Sequence, residues 1–266
     1  MQANRAGFRG MAAIALSAGV LSFGAARDAA ATLLIEQDFQ SPVDSIPDGW
    51  TAFNEMATQS IKSWGYAGAP ANGLKMVRGA AGSQSGVVYY SGAGATLTNV
   101  TGSVLLGVSG SISSSSAGVL VRNTTLSGNT ANGYYFFIRD TNSFGISRSP
   151  DTHTTEGTVL AEDFTPSNFS ITTAMKMEFS AIGSALSAKL YAWDSVGSNW
   201  DEIGAVSATD TTFAGGGRVG LRVGSGNTNR GAYFSDLEVI PEPASVGLLI
   251  VAGAAVWRRM RPRRMK

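Results

Sequence analysis

Between Met175 and Trp193 apolar and polar residues change places at almost every step. Met175, Met177, Phe179 and Ala181 alternate with Lys176, Glu178 and Ser180; after Gly183-Ser184, residues Leu186, Ala188, Leu190 and Ala192 alternate with Ser187, Lys189, Tyr191 and Trp193. Side chains of a strand point to opposite faces in turn, whereas a helical face recurs about every 3.6 residues, so only extended chain can bury one half of this pattern and wet the other. Two such runs joined by a Gly-Ser turn predict a hairpin. Its apolar face then requires further strands to cover it.

From Leu33 to Ile240 the chain follows the same grammar, with short runs broken by Gly, Ser, Asn and Thr. Val87–Tyr90, Ser103–Val108, Gly118–Val121, Tyr134–Ile138 and Phe144–Ser147 are rich in β-branched and aromatic residues, and Val219–Val223 and Ala232–Val239 add two last strands. No helical stripe competes. The 33 glycines and a charged fraction of 15% suit turns and strands. A dozen or so strands with neither an internal repeat nor a Pro-rich linker predict one all-β, two-sheet antiparallel sandwich. Trp50 and Phe53 are assigned to its core.

Several segments carry a resemblance. They are Glu36-Gln37-Asp38-Phe39 with Pro47-Asp48-Gly49-Trp50, then Gly118-Val119-Leu120-Val121-Arg122 and Gly133-Tyr134-Tyr135-Phe136. Gly217-Arg218-Val219-Gly220-Leu221 and Tyr233-Phe234-Ser235-Asp236-Leu237-Glu238-Val239 complete the set. In this order they resemble the concanavalin-like jelly roll of laminin-G-type and lectin-like domains. The resemblance implies a fold, not an activity.

The two ends read as targeting segments. Arg5 and Arg9 precede an uncharged stretch from Met11 to Ala26, and small residues end at Ala29-Ala30-Ala31, the three zones of a secretory signal. Residues 1–31 are expected to be a signal peptide, with cleavage after Ala31 and a second choice after Ala26. Ala244–Trp257 is again uncharged and is followed at once by arginines. Its fourteen residues span roughly 21 Å, short of a bilayer core of about 30 Å. Trp257 suits the interface, and the arginines would stay cytoplasmic.

Pro241-Glu242-Pro243, the short apolar helix after it and Arg258-Arg259-Met260-Arg261 stand in the order and spacing of a PEP-CTERM sorting signal, which residues 241–266 resemble. That resemblance implies a Gram-negative-type bacterium, an exosortase-type membrane protease as partner, transient membrane contact through the C-terminal helix, and delivery to the cell surface or an extracellular polysaccharide matrix. The working domain is then 32–240. A plain, permanently anchored structural protein is the alternative for the tail.

Charge and cysteine remove several function classes. The basic residues cluster at the ends, leaving eleven Lys and Arg against eighteen Asp and Glu between Thr32 and Pro243, a net of about −7. Such a surface repels phosphate backbones, so nucleic acid is not an expected partner. With no cysteine there are no disulfides, thiolate metal sites or cysteine nucleophiles.

No catalytic constellation emerges. Glycosidases on related jelly rolls typically carry Glu-x-Asp-x-x-Glu on one strand; Glu36-Gln37-Asp38-Phe39-Gln40-Ser41 starts this way but places Ser41 where the second Glu belongs. Glu162-Asp163 and Asp201-Glu202 read as solvated loop charges. The one histidine, His153, lies in a polar loop, and no Gly-x-Ser-x-Gly elbow occurs. Catalytic residues are therefore not assigned. A polysaccharide-active hydrolase with carboxylates from different strands is the enzymatic alternative.

Two binding candidates remain. Tyr191 and Trp193 fall on the polar face of their strand beside Lys189, with Trp200 in the next loop; sugar rings stack on aromatic faces, so these three are carbohydrate-contact candidates, ahead of Trp64 and Tyr66. Glu36 and Asp38 near the first strand and Asp236 near the last could hold one structural calcium ion, which takes oxygen ligands alone. Three Asn-x-Ser/Thr sites, Asn99, Asn123 and Asn168, are chance matches in the bacterial setting the tail implies. The expected protein is an exported, non-enzymatic surface or matrix protein that binds polysaccharide.

Overall fold

The computed structural model describes residues 34–41, 45–53, 56–78, 85–92, 94, 96–109, 115–127, 130–139, 142–149, 157–164, 173–225 and 231–242. The expected signal segment, the apolar tail, Pro243, His153, Asn168 and the Phe53 side chain lie outside the described set. Among the described residues no helix is long and apolar enough to cross a membrane.

Fifteen strands make up this part of the chain. They are β1 (Ile35–Gln37), β2 (Trp50–Phe53), β3 (Met56–Ser63), β4 (Asn72–Arg78), β5 (Ser85–Tyr90), β6 (Val100–Ser109), β7 (Ser115–Ser127) and β8 (Thr130–Arg139), then β9 (Ser143–Ser149), β10 (Thr158–Asp163), β11 (Met175–Ile182), β12 (Ala185–Asp194), β13 (Asn199–Thr209), β14 (Arg218–Ser225) and β15 (Gly231–Pro241). Every predicted strand is present.

The strands form two sheets with antiparallel pairing throughout. Sheet A has the order β13-β12-β11-β6-β15-β4-β3, with β1 sharing an edge of β15, and sheet B runs β10-β9-β8-β7-β14-β5-β2. Along β15, β4 pairs with Gly231–Phe234 and β1 with Leu237–Val239. Chain neighbours often lie in different sheets, as β1 with β2 and β6 with β7 do, which makes this a sandwich rather than a meander.

Alternation explains which residues meet between the sheets. In β11, Met175, Met177, Phe179 and Ala181 are buried while Lys176, Glu178 and Ser180 are half-buried, and β12 continues the pattern with Leu186, Ala188 and Leu190. Phe179 meets Phe136 of the opposite sheet with ring centroids 5.7 Å apart. Trp50 lies in the same core, against Phe39 and Tyr90, as its sequence position predicts.

Tyr134–Ile138 breaks the alternation because both of its faces are buried. Tyr134, Phe136 and Ile138 face the core, whereas Tyr135 and Phe137 join Val87 and Leu120 in a separate cluster. Arg222 lies over Tyr135 at 4.4 Å and Arg139 over Phe137 at 4.7 Å.

Strand β7 carries an irregularity that sends neighbouring side chains to opposite sides of sheet B. Val121 pairs with Tyr134 and Thr125 with Asn132, so Arg122, Asn123 and Thr124 stand opposite Gly133 alone. Such bulges bend a strand and redirect its side chains. Gly133 has φ +155, and a Cβ there would come within 2.6 Å of Val121 O, so the site requires glycine.

Candidate functional site

The outward face of sheet A carries a groove of about 610 Å³. Its lining mixes hydroxyls, from Thr101 and Ser103 of β6, Ser180 of β11, Ser187 of β12 and Ser207 of β13, with the apolar Phe179, Ala188, Val206 and Ile240. Lys176, Glu178, Lys189 and Glu238 supply its charges. All are polar members of alternating strands, so the register that buries Met177 and Leu190 also places these groups together in the groove.

The charges hold one another. Lys176 Nζ donates to Glu178 Oε1 at 2.8 Å, Tyr191 Oη donates to Glu178 Oε2 at 2.9 Å, and Lys189 Nζ donates to Glu202 Oε2 at 2.7 Å. Burial by itself would raise the Glu178 carboxyl, but the bonds from Lys176 and Tyr191 and the charge of Lys189 outweigh it and keep the group below its ordinary range. Burial, then the bond to Glu178, pushes the Tyr191 hydroxyl up, and Glu202 pushes Lys189 up. The shifts of Glu178 and Lys189 both favour their charged forms.

The three aromatic candidates share this face but flank the groove. Trp193 and Trp200 are cross-strand partners with rings 5.2 Å apart, edge to face. Trp200 belongs to β13 rather than to a loop, which corrects its expected setting: the run Asn199–Thr209 lacks a clean apolar alternation because β13 is an edge strand exposed along much of its length. One side of Trp193 is covered, since a Cβ at Gly68, in the loop between β3 and β4, would strike its ring. Tyr191 stands nearer the charges, with Lys176 5.6 Å from its ring centre. Trp64 and Tyr66 are structural: Trp64 is buried and stacks on Tyr233 at 5.6 Å, and Tyr66 Oη donates to Val108 O at 2.6 Å.

Elsewhere the structure rearranges expectations about acidic residues. Glu162 and Asp163 are on β10, not in a loop, and the Glu162 side chain is 6% exposed, accepting from Arg139 Nη1 at 2.8 Å and Ser143 Oγ at 2.7 Å. A cross-strand arginine offsets the cost of that burial, and sequence spacing does not reveal it. Asp201 and Glu202 are on β13 and exposed, as charges expected in solvent should be. At the calcium candidates, Glu36 pairs with Glu238 across β1 and β15, while burial, then Asp38 and Glu238, push the Asp236 carboxyl up. Among the described residues no group of three or more acidic or histidine side chains is disposed to hold a metal ion.

The Pro241-Glu242-Pro243 segment begins inside the sheet. Pro241 is the last residue of β15 and pairs with Val100, and Glu242 continues the contact through its N–H to Asn99 O at 3.1 Å and its Oε1, which accepts from Thr101 Oγ1 at 3.0 Å.

Two facing antiparallel sheets with a groove on one outward face define an all-β sandwich. The fold is similar to that of the exoplasmic/lumenal domain of VIP36 in a Ca2+/Man3GlcNAc-bound form, with a TM-score of 0.51, 13% identity, and coverage of 80% of this chain and 91% of that one. Lectin II from Ulex europaeus is similar at a TM-score of 0.49 and 8% identity, over 79% of this chain and 99% of that one. At such identities the likeness is one of fold. Neither a family model nor a curated protein matches the sequence.

Proposed function

We propose that this chain is an exported, non-enzymatic surface or matrix protein that binds polysaccharide along the outward face of sheet A. The observation that carries the binding is the groove itself, where hydroxyls and paired charges stand among apolar side chains, with Tyr191, Trp193 and Trp200 at its side. Hydroxyls and ordered charges exchange hydrogen bonds with sugar hydroxyls, and aromatic rings take the apolar faces of sugar rings. The glycan bound by the similar VIP36 domain agrees with this reading.

Export and sorting rest on the sequence of the two ends. An exosortase-type protease would act on Pro241-Glu242-Pro243, and because Pro241 and Glu242 are bonded to sheet A, a cut that leaves the sheet whole falls after Glu242. Intact-mass analysis of protein recovered separately from cells and medium tests this. Loss of residues 1–31 and of everything beyond Glu242 supports sorting, whereas a membrane-bound form that keeps Ala244–Lys266 is the permanently anchored alternative and overturns it.

Glu178 and Glu238 both line the groove, which is the observation favouring a hydrolase. A glycosidase acid must hold its proton near neutral pH. Glu178 is held ionised by two donors, and Asp236, whose carboxyl is pushed up, is not a lining residue. Binding without cleavage is the reading these groups support. Affinity electrophoresis through neutral polysaccharides tests it: retardation of the parent and loss of retardation in Tyr191→Ala support the groove, and release of reducing ends would replace binding with hydrolysis.

A further inference from the structure

We propose that the chain has a second ligand site, at the end of sheet B, that takes a sugar carboxylate of the uronic acid class. The site is a polar pocket of about 410 Å³ lined by Thr96, Asn123, Thr124, Gly216, Gly217 and Arg218. That volume suits a single sugar ring. The pocket is separate from the sheet A groove and does not depend on it.

The β7 irregularity builds this pocket. On one side of β7 three residues stand opposite Gly133; on the other, Arg218 pairs with Asn123 but Gly220 with Leu120, so the register slips there too. Extra residues in a strand re-aim its side chains. Arg122 consequently turns into the sandwich, while Asn123 lines the pocket.

Asn123 is 3% exposed, and neither its Nδ2 nor its Oδ1 has a hydrogen-bond partner among the described residues. Buried polar side chains are overwhelmingly paired in folded proteins, and an orphan amide beside a pocket calls for a partner from outside the chain. A carboxamide both gives and takes hydrogen bonds, so it matches a sugar hydroxyl, which does the same.

Arg218 adds the charge. Its guanidinium is held over the Tyr89 ring at 4.9 Å, and no carboxylate pairs with it among the described residues. A planar guanidinium fork fits a carboxylate through two parallel N–H bonds. The glycines keep the wall close. A Cβ at Gly216 would press on Thr96 Cγ2 and Thr98 Oγ1 at 3.0 Å, and one at Gly217 would strike the Arg122 backbone. A neutral sugar would leave Arg218 unused, and a bare anion would leave the acceptor of Asn123 unused. A carboxylate on a hydroxylated ring uses both.

The test is calorimetric titration of the full chain in detergent with sodium glucuronate, glucose and acetate. Glucuronate is expected to bind at least roughly tenfold more tightly than glucose or acetate. Arg218→Gln and Asn123→Leu should each weaken glucuronate by about tenfold or more, with Trp193→Ala within about twofold of the parent. Melting curves for Arg218→Gln that overlay the parent keep that loss a binding effect. A galacturonate tetramer binding clearly more tightly than the monosaccharide identifies a polymer as the source, and equal binding identifies a free or terminal residue. Equal binding of acetate and glucuronate, absence of glucuronate binding, or its loss in Trp193→Ala would each overturn the proposal.

Discussion

Arg122 of sheet B reaches through the sandwich to Ala181 of sheet A, where its Nη2 donates to the Ala181 carbonyl at 3.0 Å. Three more carbonyls complete the set: Thr98 O receives Nε at 2.7 Å, and Gly183 O and Phe213 O receive Nη1 at 2.7 and 3.2 Å. The residue is fully buried and sits at φ +53, a conformation that the bulge imposes. One guanidinium thus joins both sheets and three connecting segments, with no carboxylate partner among the described residues.

Removing that group leaves four carbonyls without their donor. Arg122→Met is expected to lower stability by about 3 kcal/mol, at roughly 1 kcal/mol for each bond lost less some relaxation. Arg122→Lys should recover only part, because an ammonium cannot span the same acceptors. Urea unfolding of the two variants beside the parent measures both.

Glu178 sets the acid limit of the sheet A groove. Its folded carboxyl lies below the ordinary value of 4.5, so the ion pair with Lys176 and the bond from Tyr191 are complete above that value and are lost as pH falls through the lower folded one. Polysaccharide binding should be flat from about pH 8 to pH 5 and should decline only in stronger acid. Glu178→Gln is expected to weaken binding at neutral pH and to abolish that decline. A pH series of affinity gels reports both.

Asp236 behaves in the opposite sense. The residue is exposed on β15, yet partial desolvation, Asp38 and Glu238 together outweigh the bond from Ser235 and push its carboxyl up, so the folded state weakly favours the proton; that small, solvent-screened contribution is greatest below the ordinary value of 3.8 and is lost as pH rises through the folded value. Asp236→Asn should melt higher than the parent at pH 7 in chelator, and the gain should shrink toward about pH 3. The φ of +46 at this position is one asparagine tolerates. A calcium ion bound by Glu36, Asp38 and Asp236 would reverse the sign, since the substitution would then remove a ligand.

Gly68 holds its loop against Trp193. At φ +75, with the Trp193 ring where a Cβ would go, Gly68→Ala strains the backbone and displaces the ring together. The expected cost is about 1 to 2 kcal/mol. Tryptophan emission should shift to the red as Trp193 gains water, with urea unfolding measuring the energy.

Legibility followed the wet face. Lys176, Glu178, Tyr191 and Trp193 could be placed on one side of a hairpin from spacing alone, because strand geometry allows a period of two and nothing else. The edge strand β13 and the short β1 and β2 were harder to see, since an edge exposes both faces over part of its length and three or four residues hold too little pattern to count. The setting of Glu162 is not legible for a related reason: its partner Arg139 lies in another strand, and the pairing across two ladders is decided by register.

Reading along the chain was enough for the β class, the hairpin of β11 and β12, the core position of Trp50 and the face on which Tyr191 and Trp193 stand, because each depends on the alternation of neighbours within one strand. It took the folded molecule to bring Trp200 against Trp193, to cover Trp193 with Gly68, and to send Arg122 and Asn123 in different directions at one bulge. One of those relations joins residues more than a hundred positions apart, and the others turn on how strands pair and where their register slips. Local periodicity carries no record of either.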